Sequence, residues 1–330
     1  MAEIRNDWSR EEIAAIYHRP LIDLVFQAAF VHRAWHNHHK VQIASLLSVK
    51  TGGCSEDCGY CPQAARYHTG VQAHKLLSVD EVVHSATKAR EGGASRFCMG
   101  AAWREVRDNR DFDKVLDMVK TVNGMGMEVC CTMGMLTSEQ AEKLKEAGLH
   151  AYNHNIDTSE EFYGEVITTR QYEDRLNTLS NVREAGISVC SGGIIGMGET
   201  TEDRIGMLHT LATLEVHPES VPINKLVPVA GTPLEHNRET PMEDMVRMVA
   251  TARIVMPGSM IRLSAGRASM SHAEQFLCFM AGANSIHSGE KLLTTPTANF
   301  EDDAAMLAAF GLSALGAGER TLKQAEELAV

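Results

Sequence analysis

From Val41 onward, short apolar runs alternate along the chain with longer stretches in which apolar positions recur every three or four residues. The runs at 41–49 (VQIASLLSV), 94–99 (ASRFCM), 127–132 (MEVCCT) and 149–157 (LHAYNHNID) predict β-strands. Four more are predicted at 187–195 (ISVCSGGII), 220–227 (SVPINKLV), 260–265 (MIRLSA) and 283–287 (ANSIH). Helical periodicity fills the intervals. SVDEVVHSATKAREGG at 78–93 opens on a Ser78-x-x-Glu81 capping box and closes on glycines, and TSEQAEKLKEAG at 137–148 repeats the form with Thr137, Gln140 and Gly148. Further helices are expected near 170–185, 201–215, 241–255, 270–281 and 302–311, with one or two amphipathic helices ahead of them at 8–36. Eight strands, each followed by a helix, is the count for a (β/α)8 TIM-type barrel. An open dinucleotide-binding sheet would need a Gly-x-Gly-x-x-Gly turn after the first strand, and none is there. The expected organisation is an α/β chain with an N-terminal helical extension (1–40), one barrel (41–315) and a C-terminal tail (316–330).

Composition narrows the classes. The 330 residues carry a formal charge of −12 and no Lys/Arg-rich block, which argues against a nucleic-acid binder. No run of eighteen apolar residues occurs, and the start lacks the basic-then-apolar form of a signal peptide. A cytoplasmic protein with no membrane partner is expected. In that setting eight cysteines are metal ligands or small buried residues before they are disulfides.

The sharpest local signal is Cys54-Ser-Glu-Asp-Cys58-Gly-Tyr-Cys61, preceded by Thr51-Gly52-Gly53. It follows the first strand, at the end of a barrel where active sites lie. Three thiolates on one loop can hold a 4Fe–4S cluster and leave its fourth iron open to another molecule. A zinc site on Cys54, Cys58, Cys61 and His68 is the alternative. A second constellation lies in the strands. Asn153, Asn155 and Asp157 alternate along the fourth, Asn224 lies in the sixth, and Arg262 and Ser264 share a face of the seventh. Cys98, Cys130 and Cys190 fall in the second, third and fifth strands, although a lone strand cysteine is usually just a small hydrophobe. Cys130 and Cys131 must face opposite sides, and parity alone does not say which faces inward. The glycines of Gly192-Gly193-Ile194-Ile195-Gly196-Met197-Gly198 either bend a strand end tightly or let backbone approach a flat ligand. The His36-Asn-His38-His39 cluster reads as an exposed helix-to-strand connection rather than a metal site.

Over residues 40 to about 297 the chain resembles the biotin synthase family of the radical S-adenosylmethionine (SAM) superfamily. The resemblance is carried by SVKTGGCSEDCGYCPQ, RFCMGAAW, YNHNIDTS, VCSGGIIGMGET, SVPINKLV, RLSAGR and CFMAGANSI, in that order. It implies a homodimeric barrel in which Cys54, Cys58 and Cys61 hold a 4Fe–4S cluster. Cys98, Cys130 and Cys190 with Arg262 would hold a 2Fe–2S cluster, the register of MEVCCTMG selecting Cys130. It further implies that Asn155, Asp157 and Arg175, with backbone near Tyr60 and Ile194, contact SAM. In this pattern Asp157 meets the ribose, Arg175 pairs with the SAM carboxylate, and Asn153 and Asn224 hold the ureido ring of dethiobiotin. The implied reaction is insertion of sulfur into dethiobiotin to form biotin. A 5′-deoxyadenosyl radical abstracts hydrogen, a flavodoxin-type donor supplies the electron, and the 2Fe–2S cluster supplies the sulfur. Two other readings of the triplet stand beside it: a radical SAM barrel of mutase or maturase type, and a non-catalytic iron–sulfur or zinc protein.

Overall fold

The computed structural model describes residues 4–316 and residue 319. Apart from Gly316 and Glu319, the expected tail at 316–330 lies outside the described residues. Among the described residues ten strands form: β1 (Lys40–Lys50), β2 (Arg96–Ala101), β3 (Glu128–Thr132), β4 (Ala151–Asn153) and β5 (Ser188–Cys190), then β6 (Gly193–Ile195), β7 (Ser220–Lys225), β8 (Met260–Leu263), β9 (Ser285–His287) and β10 (Ser313–Ala314). All pair in parallel, in the order β10-β1-β2-β3-β4-β5-β7-β8-β9, and β9 pairs back onto β1. The sheet therefore closes into an eight-stave barrel, with β10 as an outer addition beside Lys40 and Val41.

Two staves depart from the expected run. The fifth is divided, because β5 and β6 both pair with β7 and the chain leaves the ladder at Ser191 and Gly192. Gly192 packs so tightly that a Cβ there would run into the Pro222 carbonyl oxygen, and one on Gly193 would meet Met207 and the Asp157 carbonyl. These two glycines are thus spent on close packing within the protein. The fourth stave ends at Asn153 rather than running to 157; farther on, Asp157 adopts a left-handed φ of 70° and rejoins the sheet by an isolated parallel bridge to Gly193.

The expected helices form around the barrel, with the capping boxes at Ser78 and Thr137 in place. Two that the pattern did not mark, Arg110–Gly124 and Glu160–Val166, are capped by Asn109 and Ser159. At the N-terminus Pro20 divides Arg10–Tyr17 from Leu21–Trp35, and both helices pack on the outer layer at Thr201–Ala212 and Met242–Val255. His36 is fully buried, not exposed as expected: its Nε2 lies 3.0 Å from the Pro257 carbonyl and 2.9 Å from Arg253 Nη1. A guanidinium beside it is a poor neighbour for a metal cation.

The large apolar core lies between sheet and helices, with Phe97, Met99, Val129, Cys131, Tyr152 and Leu263 among its members. Inside the barrel the only apolar cluster among the described residues is small: Ala44, Cys98, Cys130 and Ala151, with Leu46 against it. Barrels normally fill this space with bulky aliphatic layers. Here it is held by small and polar groups. Replacing Gly192 by Ala should cost about 3 kcal/mol through overpacking against rigid backbone; a thermal unfolding midpoint equal to wild type would contradict that account.

Candidate active site

The chain leaves β1 through Gly52 and Gly53, both at left-handed φ, and enters the cysteine loop. That loop is pinned at several points. Cys54 N donates to the Gln63 carbonyl (3.0 Å), Ala65 N to the Cys54 carbonyl (2.7 Å), and Gly59 N to the Val166 carbonyl (2.9 Å). Asp57 Oδ1 accepts from Thr168 N (3.0 Å), Thr169 N (3.2 Å) and Thr169 Oγ1 (2.8 Å). Burial works against the Asp57 charge, but these bonds outweigh it and hold its carboxyl at about 2. Buried Glu56 accepts from Thr169 Oγ1 and lies 3.5 Å from Arg104 Nε. The two acids between Cys54 and Cys58 thus anchor the loop to the segment after Val166.

The three thiols are unpaired, Cys58 buried and the other two half-buried. Burial pushes Cys58 up to about 11 and Cys61 to about 12, so each stays protonated until something positive binds. His68 is exposed. Among the described residues no three His, Cys, Asp or Glu side chains stand close enough together to hold a single metal ion.

Beside this loop stands a buried charge pair. Arg175 Nη2 donates to Asp157 Oδ2, which also accepts from the Tyr60 hydroxyl at 2.9 Å. Arg175 Nε donates to the Tyr163 hydroxyl at 2.9 Å. Ile194 N donates to the Asp157 carbonyl (2.8 Å), and Gly192 N to Asn155 Oδ1 (3.2 Å). Tyr60, Asn155, Asp157, Arg175 and Ile194 are therefore brought together. Arg175, expected to face a ligand carboxylate, is instead paired with Asp157.

The strand cysteines lie deeper in the barrel. Cys98 and Cys130 are opposite each other in register and pack together, and Cys130 faces inward while Cys131 joins the outer core. The neighbouring Cys98 thiol and burial both push the Cys130 thiol up. Asn153 Nδ2 donates to Cys190 Sγ (3.3 Å) and also to Asn155 Oδ1 (3.0 Å), linking the lower group to the upper one. Arg262 Nη1 lies 3.8 Å from Cys190 Sγ, while its Nε donates to Ser285 Oγ (2.8 Å) and its Nη2 to Gln42 Oε1 (2.9 Å). Asn224 is occupied at both ends of its amide, Nδ2 donating to the Gly193 carbonyl and Oδ1 accepting from Ala265 N.

Several members of this chamber were not singled out from the sequence: Gln42, Arg96, Glu128, Ser285 and His287. Arg96 donates through Nε to Glu128 Oε2 (2.9 Å), and Gln42 Nε2 reaches the same oxygen (3.1 Å). Arg96 stands two residues before Cys98, and that i, i+2 spacing was the available signal. Its Nη1 is buried with no hydrogen-bond partner in a chamber holding three thiols. An orphaned cationic donor beside soft sulfur ligands fits an anionic iron–sulfur group, as the three-thiol loop fits another.

Comparisons with known proteins agree. Residues 48–211 match the Radical SAM superfamily, and residues 222–313 match the Biotin and Thiamin Synthesis associated domain. Biotin synthase of Cytophaga hutchinsonii is 64% identical over 94% of this chain and 93% of its own length. The mitochondrial biotin synthase of Arabidopsis thaliana is 61% identical over 93% of this chain and 82% of its own, and that of Nostoc punctiforme 58% over the whole of both. The chain belongs to the biotin synthase family. It is a radical SAM enzyme of biotin synthesis, and membership implies SAM and iron–sulfur chemistry. Among solved structures, methylornithine synthase superposes with a TM-score of 0.79 at 18% identity, covering 93% of this chain and 94% of its own. The [FeFe]-hydrogenase maturase HydG gives 0.80 at 20%, over 93% and 72%. At such identities the two speak for the barrel alone. No helix among the described residues is long and apolar enough to cross a membrane.

If Asp57 anchors the cysteine loop, Asp57→Asn should raise amide hydrogen exchange across 54–61 and 166–170 by about tenfold, the loss of one charged hydrogen-bond set. Unchanged exchange in both segments would show that the loop is held by other contacts.

Proposed function

We propose that the chain converts dethiobiotin to biotin with two iron–sulfur centres held one below the other in its barrel. Cys54, Cys58 and Cys61 would hold a 4Fe–4S cluster whose open iron takes SAM, and Cys98, Cys130, Cys190 and Arg262 a 2Fe–2S cluster. The observation that carries this reading is that Cys98 packs against Cys130, and Cys190 lies against Arg262, inside a barrel that ordinarily holds aliphatic side chains. When bound, the upper centre supplies the electron that cleaves SAM and the lower one supplies sulfur.

The residues of the chain then bind, orient and exclude water. Asp157 is held ready for the ribose hydroxyls by Tyr60 and Arg175, and its left-handed backbone turns the carboxylate back toward the cysteine loop. Arg175 acts on SAM chiefly through Asp157, with the rest of its guanidinium available to the SAM carboxylate. Backbone at Tyr60 and Ile194 borders the adenine. Asn153 bridges the SAM-side Asn155 and Cys190, which suits a substrate that must meet the radical on one side and sulfur on the other. Asn224 offers the ureido ring its remaining N–H proton and lone pair, while its bonds to Gly193 and Ala265 fix its orientation.

All eight cysteines are free thiols, as suits a reducing compartment such as the cytoplasm. Ile22, Phe26 and Phe30 form an exposed stripe (80, 77 and 62%) beside the exposed Phe276 and Leu277, as suits a homodimer contact. A flavodoxin-type protein is our candidate for the electron donor.

The test is anaerobic reconstitution with iron and sulfide, followed by mass spectrometry of 5′-deoxyadenosine and biotin after SAM, reductant and dethiobiotin are added. Wild type should form both products, with deoxyadenosine depending on dethiobiotin. Cys98→Ala and Cys190→Ala should lose biotin yet keep deoxyadenosine, Cys54→Ala should lose both, and Cys131→Ala should keep both. Full biotin formation by Cys98→Ala or Cys190→Ala would overturn the proposed sulfur source.

A further inference from the structure

We propose that Gln42 is a positioning residue for Arg262, holding the guanidinium so that Nη1 is the nitrogen presented to the sulfur chamber. This rests on the reading that seats a 2Fe–2S cluster on Cys98, Cys130, Cys190 and Arg262. The placement follows from the strands. Gln42 lies near the start of β1, Ser285 opens β9 and Arg262 lies in β8. Ser285 is paired in register with Gln42 on one side and with Arg262 on the other. Three buried side chains from neighbouring staves thus meet toward the end of the barrel opposite the cysteine loop.

Their contacts close into a triangle. Arg262 Nε donates to Ser285 Oγ at 2.8 Å, and Arg262 Nη2 donates to Gln42 Oε1 at 2.9 Å. The Ser285 hydroxyl in turn donates to Gln42 Oε1 at 3.4 Å. On its other side Gln42 Nε2 donates to Glu128 Oε2 at 3.1 Å, the oxygen that also accepts from Arg96 Nε. The partners fix the direction of the amide, because a guanidinium has only donors and a carboxylate only acceptors. Its oxygen must face Arg262 and its nitrogen Glu128.

Nε and Nη2 of Arg262 are thereby both committed to oxygen, and Nη1 is the nitrogen turned to sulfur, 3.8 Å from Cys190 Sγ. Arg253, the other guanidinium buried in a strand-side layer, is arranged differently. Its Nε and Nη2 donate to the Gly282 carbonyl and its Nη1 to the Pro257 carbonyl, so every nitrogen meets oxygen. If Gln42 lost its acceptor, Arg262 Nη2 would become a buried donor short of a partner, which is costly. The guanidinium would then be drawn toward another acceptor, and either terminal nitrogen could face the thiols. An outer partner that orients a ligand also governs how firmly the bound group is held.

The experiment compares reconstituted wild type with two changes. Gln42→Leu keeps the bulk and removes the acceptor. The paired exchange Gln42→Glu with Glu128→Gln keeps an acceptor for Arg262, an N–H between the two positions and the net charge. The readouts are the paramagnetic resonance spectrum of the reduced 2Fe–2S centre, its rate of loss by visible absorption, and biotin formed per deoxyadenosine. In Gln42→Leu the spectrum should broaden or split, loss should quicken several-fold, and biotin per deoxyadenosine should fall several-fold. The paired exchange should recover most of each change; recovery of none would assign the changes to packing and overturn the role. A glutamine that only filled the barrel floor would lower the thermal midpoint in Gln42→Leu and leave spectrum and lifetime as in wild type, which would overturn it as well. Should Gln42→Leu fail to fold, Gln42→Met carries the same test with the same expectations. A variant with both Cys98→Ala and Cys190→Ala separates the two levels. If it lacks the 2Fe–2S spectrum while Gln42→Leu matches wild type in spectrum and lifetime, the cluster assignment stands and the Gln42 role falls. If it keeps the spectrum, both fall.

Discussion

Arg96 and Arg262 carry two guanidinium ions into the axis of a closed barrel, and one carboxylate, Glu128, stands among the groups that meet them. A buried charge without compensation costs several kcal/mol. The chain answers with a relay: Arg262 donates to Gln42, Gln42 donates to Glu128, and Arg96 donates to Glu128. Burial works against the Arg96 charge, but Glu128 outweighs it and keeps the guanidinium protonated. One cationic donor, Arg96 Nη1, is still left unsatisfied at the level of the thiols. A chamber so lined favours an anionic occupant, and the small residues Ala44 and Ala151 leave room for it.

The upper site depends on that chamber through the backbone. Asp157 can face the cysteine loop because the fourth stave stops at Asn153 and the chain turns through a left-handed residue. The same turn is locked by the broken fifth stave, where Gly192 N bonds Asn155 and Ile194 N bonds the Asp157 carbonyl. Asn153 then touches both levels, with Asn155 above and Cys190 below. Two sites that would use different chemistry are in this way held in one register by a few strand ends. Loop anchoring by Glu56 and Asp57 fixes the third side.

Much of this was legible from the sequence. Strand and helix periods yielded the barrel, and the i, i+2 spacing put polar groups on common faces. The triplet marked the mouth of the barrel, and resemblance to known relatives selected Cys130 over Cys131, whose inward and outward positions the structure now displays. What could not be read is instructive. Alternation predicted a strand through Asp157, but a left-handed φ at a non-glycine residue leaves no trace in a polarity pattern. The pattern at Gly192 and Gly193 fitted either a tight bend or an approach to a ligand, and only the fold shows that both glycines are needed for close contact with Pro222, Met207 and Asp157. His36 lay in a polar string and is buried because Arg253, more than two hundred residues on, reaches it from another helix. Arg96 and Glu128 carried no signal of their own and meet because β2 and β3 pair with these two residues in register.

The central claim is that the lower chamber stores the sulfur that the reaction consumes. The most direct measurement is to reconstitute the enzyme with heavy-isotope sulfide, remove all free sulfide, and weigh the biotin formed in a single turnover. The account predicts that the biotin carries the heavy sulfur, and that Cys98→Ala or Cys190→Ala protein makes none. Biotin of ordinary mass from a fully labelled enzyme would contradict it, and would place the sulfur source outside the barrel.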